Sequence, residues 1–332
     1  MAVRRVDCAG PGIQRRRAGR GFTYRTATGR RLTARRTLDR IRALAIPPAW
    51  EDVWICPDAN GHIQATGIDA KGRRQYRYHE AWTEERAQEK HDRVLELARR
   101  LPELREQVRA DLALEGMPRP RVLACAVALL QLGCFRVGGE SYAEENGSFG
   151  LATLQKRHVR IRSGVARFEF DSKSGQRQRF DVTDPAVVAV LTTLRRRRCP
   201  AEHDLLAYKD DDDRWVDVRS QDINDYLQEH LGHGFSSKDF RTWVGTVLAA
   251  VVLAVDDDAG TDAERRRSVV TAVQEVAAHL GNTAAVARSA YIDPRVIERY
   301  EADDILEDPE DHLELEAIEA EVIALVERAE PD

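Results

Sequence analysis

Two short stretches decide how the rest of the chain is interpreted: residues 236–243, SSKDFRTW, and residues 280–291, LGNTAAVARSAY. The serines that open the first stretch are suited to cap a helix, and the i, i+3 spacing predicts that Lys238 and Arg241 share one face of its first turn. Two cations beside the positive end of a helix dipole are unfavourable unless an anion binds there. The stretch therefore predicts an anion site, with pairing to Asp239 or another acid as the alternative.

The second stretch predicts a tight turn between two helices. Gly281 is a C-cap signal for the helix before it, and Thr283 is suited to cap a helix that runs to Ile292. Asn282 then supplies an amide donor at the turn, and the phenol of Tyr291 lies about two turns into the second helix. A core aromatic is the alternative interpretation of Tyr291.

Upstream, residues 22–82 are predicted to be β-structure with one helix. Apolar residues at helical spacing, followed by two prolines, predict the helix at 37–45. An Asn-Gly turn signal predicts a hairpin formed by residues 53–55 and 62–67. The strand that follows has period-2 alternation, which places Tyr76 and Tyr78 on one face and Gln75 and Arg77 on the other.

From about residue 83 the pattern is mainly helical. Helices are predicted at 86–101, 121–132, 186–198, 221–231, 237–254 and 264–280. A hairpin of residues 167–170 and 179–182 interrupts them, with Lys173 at its tip. Arg136 stands beside two glycines, where the backbone can approach a ligand closely.

The charge is distributed unevenly along the chain. The net charge is −5, yet residues 1–82 hold 17 basic and 7 acidic side chains, whereas residues 301–332 hold 1 and 14. A basic N-terminal segment of this kind is typical of a protein that binds a polyanion. A solvated, charged surface is the alternative. Only 6 of the 51 basic residues are lysine. A lysine retained in such a chain suggests a need for an ammonium that can release a proton, which draws attention to Lys173 and Lys238.

Several classes of protein are excluded. Neither a P-loop motif nor a strand-linked Gly-x-Gly-x-x-Gly occurs, so a P-loop ATPase and a Rossmann dehydrogenase are not expected. The five cysteines form no Cys-x-x-Cys pair and the histidines lack ligand spacing, so we expect neither a disulfide framework nor a metal site, and no cofactor. The aspartates at 210–213 are interpreted as a solvated turn rather than a Mg²⁺ site. Without an export signal or an apolar span, we expect a cytoplasmic protein.

Taken together, these motifs resemble the catalytic set of the small type IB DNA topoisomerases, the poxvirus-like enzymes and their bacterial relatives. The matching residues are, in order, Arg136, Lys173, Lys238-Asp239-Phe240-Arg241, Leu280-Gly281-Asn282 and Tyr291. Residues 142–151 resemble the segment after the family's first arginine, and residues 73–78 resemble its groove-reading strand. The resemblance covers roughly residues 22–300 and leaves the acidic tail outside it.

Tyrosine recombinases share this catalytic domain and are the alternative. They carry His-x-x-Arg where this chain has Lys238-x-x-Arg241, which favours the topoisomerases. A protein that binds DNA without catalysis is a third possibility, against which the intact Tyr291 and its neighbouring cations argue. One departure from the viral enzymes is Asn282, where they use histidine. An amide donates a hydrogen bond but cannot titrate near neutrality.

The resemblance implies an α+β fold that forms a clamp around duplex DNA. A small N-terminal antiparallel β-sheet domain would comprise residues 1–82, and a larger, mainly helical catalytic domain with a small hairpin sheet would comprise residues 83–300. The acidic C-terminal region, residues 301–332, is predicted to contain a helix at 303–330. We interpret it as a capping helix, in preference to a segment that docks on the basic surface or a mimic of DNA charge. The clamp would need only a monomer and no obligatory protein partner.

The resemblance also implies a role for each residue. Tyr291 would attack a backbone phosphate, leaving a 3′-phosphotyrosyl link, and religation would need neither ATP nor a metal. Arg136, Arg241 and Asn282 would bind the non-bridging oxygens, and Lys173 would protonate the leaving 5′-oxygen. The remaining residues would contact the DNA; they are Gln75, Tyr76 and Tyr78 in the major groove, Tyr142 on the backbone, and Lys238 near the cleavage site.

Overall fold

The structure, a computed structural model, describes residues 3–138, 147–172, 175–255, 261–306 and 314–328. It divides into two units, residues 1–90 and residues 91–332, and the boundary falls inside a long helix, α2 (Glu80–Leu112). Within the described part of the chain, no helix is both long and apolar enough to cross a membrane.

The first unit is built on a five-stranded antiparallel sheet. Its strands are β1 (Ile13–Ala18), β2 (Gly21–Arg25), β3 (Glu51–Ile55), β4 (Ile63–Ile68) and β5 (Arg74–Tyr78), in the order β2-β1-β3-β4-β5. Helix α1 (Arg35–Ala43) packs against the sheet through Ile41, its one buried residue, in a core with Ile13, Val53 and Ile55. The predicted helix, hairpin and strand of this region are confirmed.

Strand β5 carries an exposed aromatic pair. Tyr76 and Tyr78 are 41% and 47% exposed, and their rings stack with centroids 5.9 Å apart and planes 15° apart. The predicted shared face is therefore confirmed. Gln75 points elsewhere, because its side-chain amide donates to the Asp69 carboxylate at 2.9 Å.

The second unit is mainly helical. After α2 come α3 (Arg119–Leu130), α4 (Pro185–Arg195), α5 (Ser220–Leu231), α6 (Ser237–Val255), α7 (Asp262–Leu280), α8 (Ala284–Ala290), α9 (Pro294–Glu301) and α10 (Leu315–Glu327). Helix α3 is apolar on all sides, and from Val122 to Val127 every side chain is 0% exposed, so α3 forms the centre of the core. A mainly helical unit and a sheet unit in one chain are the α+β class predicted from the sequence.

A small antiparallel sheet interrupts the helices. Its strands are β6 (Val159–Arg162), β7 (Val165–Ser172) and β8 (Gln176–Val182), which confirms the predicted hairpin. The inner face of the hairpin presents Phe168, Phe170 and Phe180 to Phe135, with ring centroids 4.5–6.0 Å from that of Phe135. This contact fixes the segment that carries Arg136 against the hairpin.

The aspartates at 210–213 lie in the turn of a second hairpin, formed by β9 (Ala207–Lys209) and β10 (Trp215–Asp217). Lys209 pairs with Asp213 at 2.5 Å, and Arg214 pairs with Asp210 at 3.0 Å and Asp212 at 2.7 Å. Because neighbouring cations engage these carboxylates, the segment behaves as a charged surface turn.

Several predicted helix boundaries are wrong. Helix α2 spans Glu80–Leu112 rather than 86–101, and α4 ends at Arg195 rather than at residue 198. The helix capped by Thr283 ends at Ala290 rather than at Ile292, so Tyr291 is the C-cap residue, with φ −132°. The residue before a proline is disfavoured in helical conformation, and Asp293, which precedes Pro294, is extended. Its carboxylate accepts from the backbone N–H of Arg295 at 3.0 Å and thereby caps the next helix, α9.

The acidic C-terminal region contributes a packed helix. In α10 the side chains of Val322, Leu325 and Val326 are 0%, 2% and 4% exposed and belong to the core of the second unit. Leu315, at the start of the helix, is 54% exposed. Residues 307–313 and 329–332 lie outside the described part of the chain.

Candidate active site

Arg241 is buried on the first turns of α6, where it is only 2% exposed. Its guanidinium donates to the carbonyl of Gly133 at 2.5 Å and to that of Leu280 at 2.6 Å. Its Nε is buried and finds no hydrogen-bond partner among the described residues. A buried donor left without an acceptor is costly, and the oxygen of a bound anion would satisfy it.

The acid that could have neutralised Arg241 is engaged elsewhere. Asp239 accepts from Arg93 at 2.9 Å and from the backbone N–H and hydroxyl of Ser236 at 2.8 and 3.0 Å. Ser236 therefore donates to Asp239 instead of capping the helix with its own oxygen. Lys238 is exposed whereas Arg241 is buried, so the predicted shared face holds one cation at the surface and one inside.

Arg136 bonds the turn at residues 280–282, which Arg241 also contacts through the Leu280 carbonyl. Its guanidinium donates to the carbonyl of Gly281 at 3.0 Å and to Oδ1 of Asn282 at 2.8 Å. Its backbone is fixed by residues 150–152, since Leu151 N–H donates to the Arg136 carbonyl at 2.7 Å. The close approach requires glycine, because a Cβ on Gly138 would lie 2.7 Å from the Cα of Gly150.

The turn at residues 280–282 gathers both arginines. Gly281 is left-handed, with φ 59°, and a Cβ there would collide with the amide of Gln178 on β8. This conformation presents the carbonyls of Leu280 and Gly281 to different arginines. The Asn282 amide spans the turn: Nδ2 donates to the Leu280 carbonyl at 3.3 Å, and Oδ1 accepts from Arg136.

Tyr291 lies beneath Arg241, whose guanidinium carbon is 5.1 Å from the centroid of the phenol ring. The backbone of Tyr291 rests against α6 at Gly245, where a Cβ would lie 2.5 Å from the Tyr291 carbonyl oxygen. Two residues on, the Asp293 N–H donates to Oγ1 of Thr246 at 3.1 Å. Helix α6 therefore positions both Arg241 and the backbone of Tyr291.

The electrostatics of the site favour an anion. Burial lowers the pKa of Arg241, and the charge of Arg136 lowers it further. Tyr291 acts in the opposite direction and raises this pKa. Guanidinium nonetheless keeps its proton at physiological pH. Burial raises the pKa of the nearby Cys134 thiol to about 11, so this thiol is neutral and adds no negative charge beside Arg241. Two guanidinium groups beside a phenol can bind the oxygens of a phosphate while the phenol attacks phosphorus.

The structure thus brings together Arg136, Arg241, Asn282 and Tyr291. Lys173 and Tyr142 lie outside the described residues. Gln75, Tyr76 and Tyr78 belong to the first unit and take no part in this cluster. Sequence analysis missed Gly245 and Thr246, although a glycine inside an otherwise apolar helix is a signal of close packing.

Comparisons with known proteins agree with this geometry. Residues 79–312 match the family described as "Eukaryotic DNA topoisomerase I, catalytic core", and residues 21–69 match "Bacterial DNA topoisomerase IB, N-terminal domain". A relative from Acanthamoeba polyphaga mimivirus, "DNA topoisomerase 1B", is 30% identical over 294 residues, which are 87% of this chain and 88% of the relative. Matches that cover both units, around a phenol flanked by two arginines, lead to one conclusion. The chain belongs to the type IB DNA topoisomerases.

Proposed function

We propose that this topoisomerase relaxes DNA supercoils of either sign by cutting and resealing one strand, with Tyr291 as the nucleophile. The phenol oxygen forms a bond to phosphorus as the bond from phosphorus to the 5′-oxygen breaks. The product is a 3′-phosphotyrosyl link and a free 5′-hydroxyl. The phosphotyrosyl link is itself a phosphodiester and retains the energy of the bond that was broken. The 5′-hydroxyl can therefore attack it and reseal the strand without ATP.

The observation that carries the proposal is the buried guanidinium of Arg241, which covers the Tyr291 ring and has an Nε without a partner among the described residues. In the proposed mechanism, Arg241 and Arg136 donate to the non-bridging oxygens as negative charge accumulates there. Each such donor is typically worth about 2.7–4 kcal/mol of the barrier. Their contacts to backbone carbonyls hold them in place before DNA binds, so little reorganisation is needed.

Asn282 would supply a third donor to the phosphate. Its Nδ2 carries two protons, and one is directed to the Leu280 carbonyl, so the second is available to a phosphate oxygen. Because an amide does not titrate near neutrality, Asn282 has no proton-transfer role in this scheme.

Lys173 is proposed as the acid that protonates the leaving 5′-oxygen. An ammonium, with a reference pKa of about 10.4, can release its proton once neighbouring cations lower that pKa, whereas guanidinium cannot. Strands β7 and β8 run up to either side of Lys173 in sequence.

DNA binding is proposed to involve both units. Exposed Lys238 would contact the duplex near the cleavage site, and Tyr142 would contact its backbone. In the first unit, the exposed and stacked Tyr76 and Tyr78 would lie along the major groove with Gln75. We propose that a monomer suffices, acting on the DNA of the nucleoid without a protein partner.

The test is relaxation of negatively and of positively supercoiled plasmid in EDTA without ATP. We expect the wild type to relax both, Tyr291→Phe to relax neither, and Tyr208→Phe, a partly buried tyrosine elsewhere in the second unit, to behave as the wild type. Denaturation during the reaction should trap nicked plasmid bound covalently to the wild type and to Tyr208→Phe, but not to Tyr291→Phe. A wild type that binds duplex DNA but leaves both plasmids supercoiled would contradict the proposal and favour a recombinase that needs specific sites.

A further inference from the structure

A buried ion pair lies behind the active site, on the C-terminal helix. Glu319 of α10 is 7% exposed, and its carboxylate accepts three hydrogen bonds. Arg105 of α2 donates two of them, at 2.6 and 2.9 Å, and the indole N–H of Trp243 donates the third at 2.9 Å. A buried carboxylate needs this degree of pairing, and the two-pronged contact also fixes its orientation.

The ion pair is connected to both segments that bear the catalytic arginines. The Nε of Arg105 donates to Oε1 of Gln131 at 2.9 Å. Gln131 is the C-cap of α3, two residues before Gly133, whose carbonyl accepts from Arg241. Arg105 therefore anchors the beginning of the segment that leads to Arg136.

Trp243 provides the second connection. It lies two residues after Arg241 on α6, about 200° around the helix, and therefore on the opposite side. Helix α6 is consequently held from two sides, by Arg241 on the carbonyls of Gly133 and Leu280 and by Trp243 on the Glu319 carboxylate. A rotation of α6 that moved Arg241 away from Tyr291 would break the bond to Glu319.

We propose that Arg105 and Glu319 are positioning residues, which act through Gln131 and Trp243 to hold Arg241 and the segment before Arg136 at the reacting phosphate. The C-terminal helix is then part of the catalytic unit and more than a cover for the core. The inference rests on the proposed role of Arg241. Burial of an ion pair is weak evidence for stability, since apolar residues of similar size often stabilise as well, but an ion pair with these extra bonds specifies one geometry.

The experiment compares Glu319→Gln with Glu327→Gln in the full-length protein. Glu327 lies on the same helix and pairs with Arg99 of α2, but its side chain is 43% exposed and it contacts neither Trp243 nor Gln131 among the described residues. The readouts are the rate of covalent complex formation on plasmid with enzyme in excess, the affinity for a short fluorescent duplex, and the thermal unfolding curve.

We expect Glu319→Gln to slow covalent complex formation roughly ten- to hundredfold, since small displacements of positioned groups cost this much. Its duplex affinity should equal that of the wild type, because the site is buried, and Glu327→Gln should match the wild type in both. Trp243→Phe keeps the ion pair but removes the indole donor together with part of a buried ring, so it should slow the same step by a smaller factor.

Equal rates for Glu319→Gln and Glu327→Gln would overturn the inference, as would a loss of rate no larger than the loss of folded protein at the assay temperature. If Glu319→Gln does not fold, Trp243→Phe decides: a wild-type rate overturns the inference and a reduced rate at unchanged affinity supports it. Failure of the wild type itself to form a covalent complex would instead refute the proposed function.

Discussion

Arg241 shows how much chemistry one side chain gains from its surroundings. A guanidinium on the surface interacts weakly with an anion, because water screens it. Arg241 is 2% exposed, its two terminal nitrogens are held by carbonyls, and its Nε has no acceptor among the described residues. In a site from which water is excluded, such a preoriented donor stabilises developing charge far more strongly than it would in solution.

Replacement of Arg241 by lysine tests whether the planar guanidinium, with its several N–H donors, is required. An ammonium keeps the charge but cannot bond both carbonyls and a phosphate in the same geometry. We expect Arg241→Lys to slow covalent complex formation on plasmid by roughly a hundredfold. The duplex affinity should change little, and the exposed Arg266→Lys on α7 is the control. A rate within about twofold of the wild type would show that charge alone suffices.

At the scale of elements, α6 and the 280–282 turn carry the site. Helix α6 contributes Arg241 on its first turns and, one turn on, Gly245 and Thr246, which hold the backbone around Tyr291. The turn contributes the carbonyls of Leu280 and Gly281, which separate the two guanidinium groups. Because both arginines bond the same turn, displacement of either α6 or α7 would disturb the whole cluster.

The contact between α6 and Tyr291 predicts the effect of Gly245→Ala. Alanine favours a helix by about 1 kcal/mol over glycine, yet its Cβ would lie 2.5 Å from the Tyr291 carbonyl oxygen. Overpacking against backbone costs about 1–3 kcal/mol, so we expect a lower melting temperature. Covalent complex formation should slow roughly tenfold as Tyr291 shifts.

Thermal unfolding and the plasmid cleavage assay check both expectations. Gly21→Ala is the control, because no atom lies within 4 Å of a Cβ built at Gly21. A Gly245→Ala protein that melts higher and cleaves at the wild-type rate would show that the helix accommodates the methyl group without moving Tyr291.

At the scale of the molecule, we propose that the first unit contributes to DNA binding and that the chemistry takes place in the second unit. The first unit carries the basic N-terminal segment and the exposed tyrosine pair, whereas the second holds the phenol and its arginines. Binding of cationic side chains to phosphates releases counterions from the DNA, and this release is less favourable at higher salt, so duplex affinity should fall with ionic strength. The reaction within a bound complex should depend on salt much less, because its arginines are buried or partly buried.

The tyrosine pair tests this division. We expect Tyr76→Ala/Tyr78→Ala to weaken duplex binding roughly tenfold, about 1.4 kcal/mol, and to alter which plasmid sites are cut. The rate at saturating DNA should be unchanged, since neither ring belongs to the reacting cluster. Tyr76→Phe/Tyr78→Phe keeps the rings and is the control. Wild-type affinity and wild-type cleavage sites in the alanine variant would contradict the assignment.

The sequence by itself determined the features that depend on near neighbours. Periodicity predicted the helices and both hairpins, and the glycine at 281 predicted the left-handed cap, because these patterns act within a few residues. It also indicated Arg136, Arg241, Asn282 and Tyr291 through their resemblance to one family. The end of α8 was misplaced by two residues, because the sequence has no glycine or proline at Tyr291 or Ile292 to mark it.

Only the tertiary structure decided what these residues touch. Arg241 bonds a carbonyl 108 residues away, and Arg105 bonds a carboxylate 214 residues away. No local pattern encodes such pairs, because they arise when the packing of α3, α6, α7 and α10 brings distant segments together. For the same reason, the acidic C-terminal region was recognisable in the sequence as a helix, but its buried glutamate and the link from that glutamate to Arg241 were not.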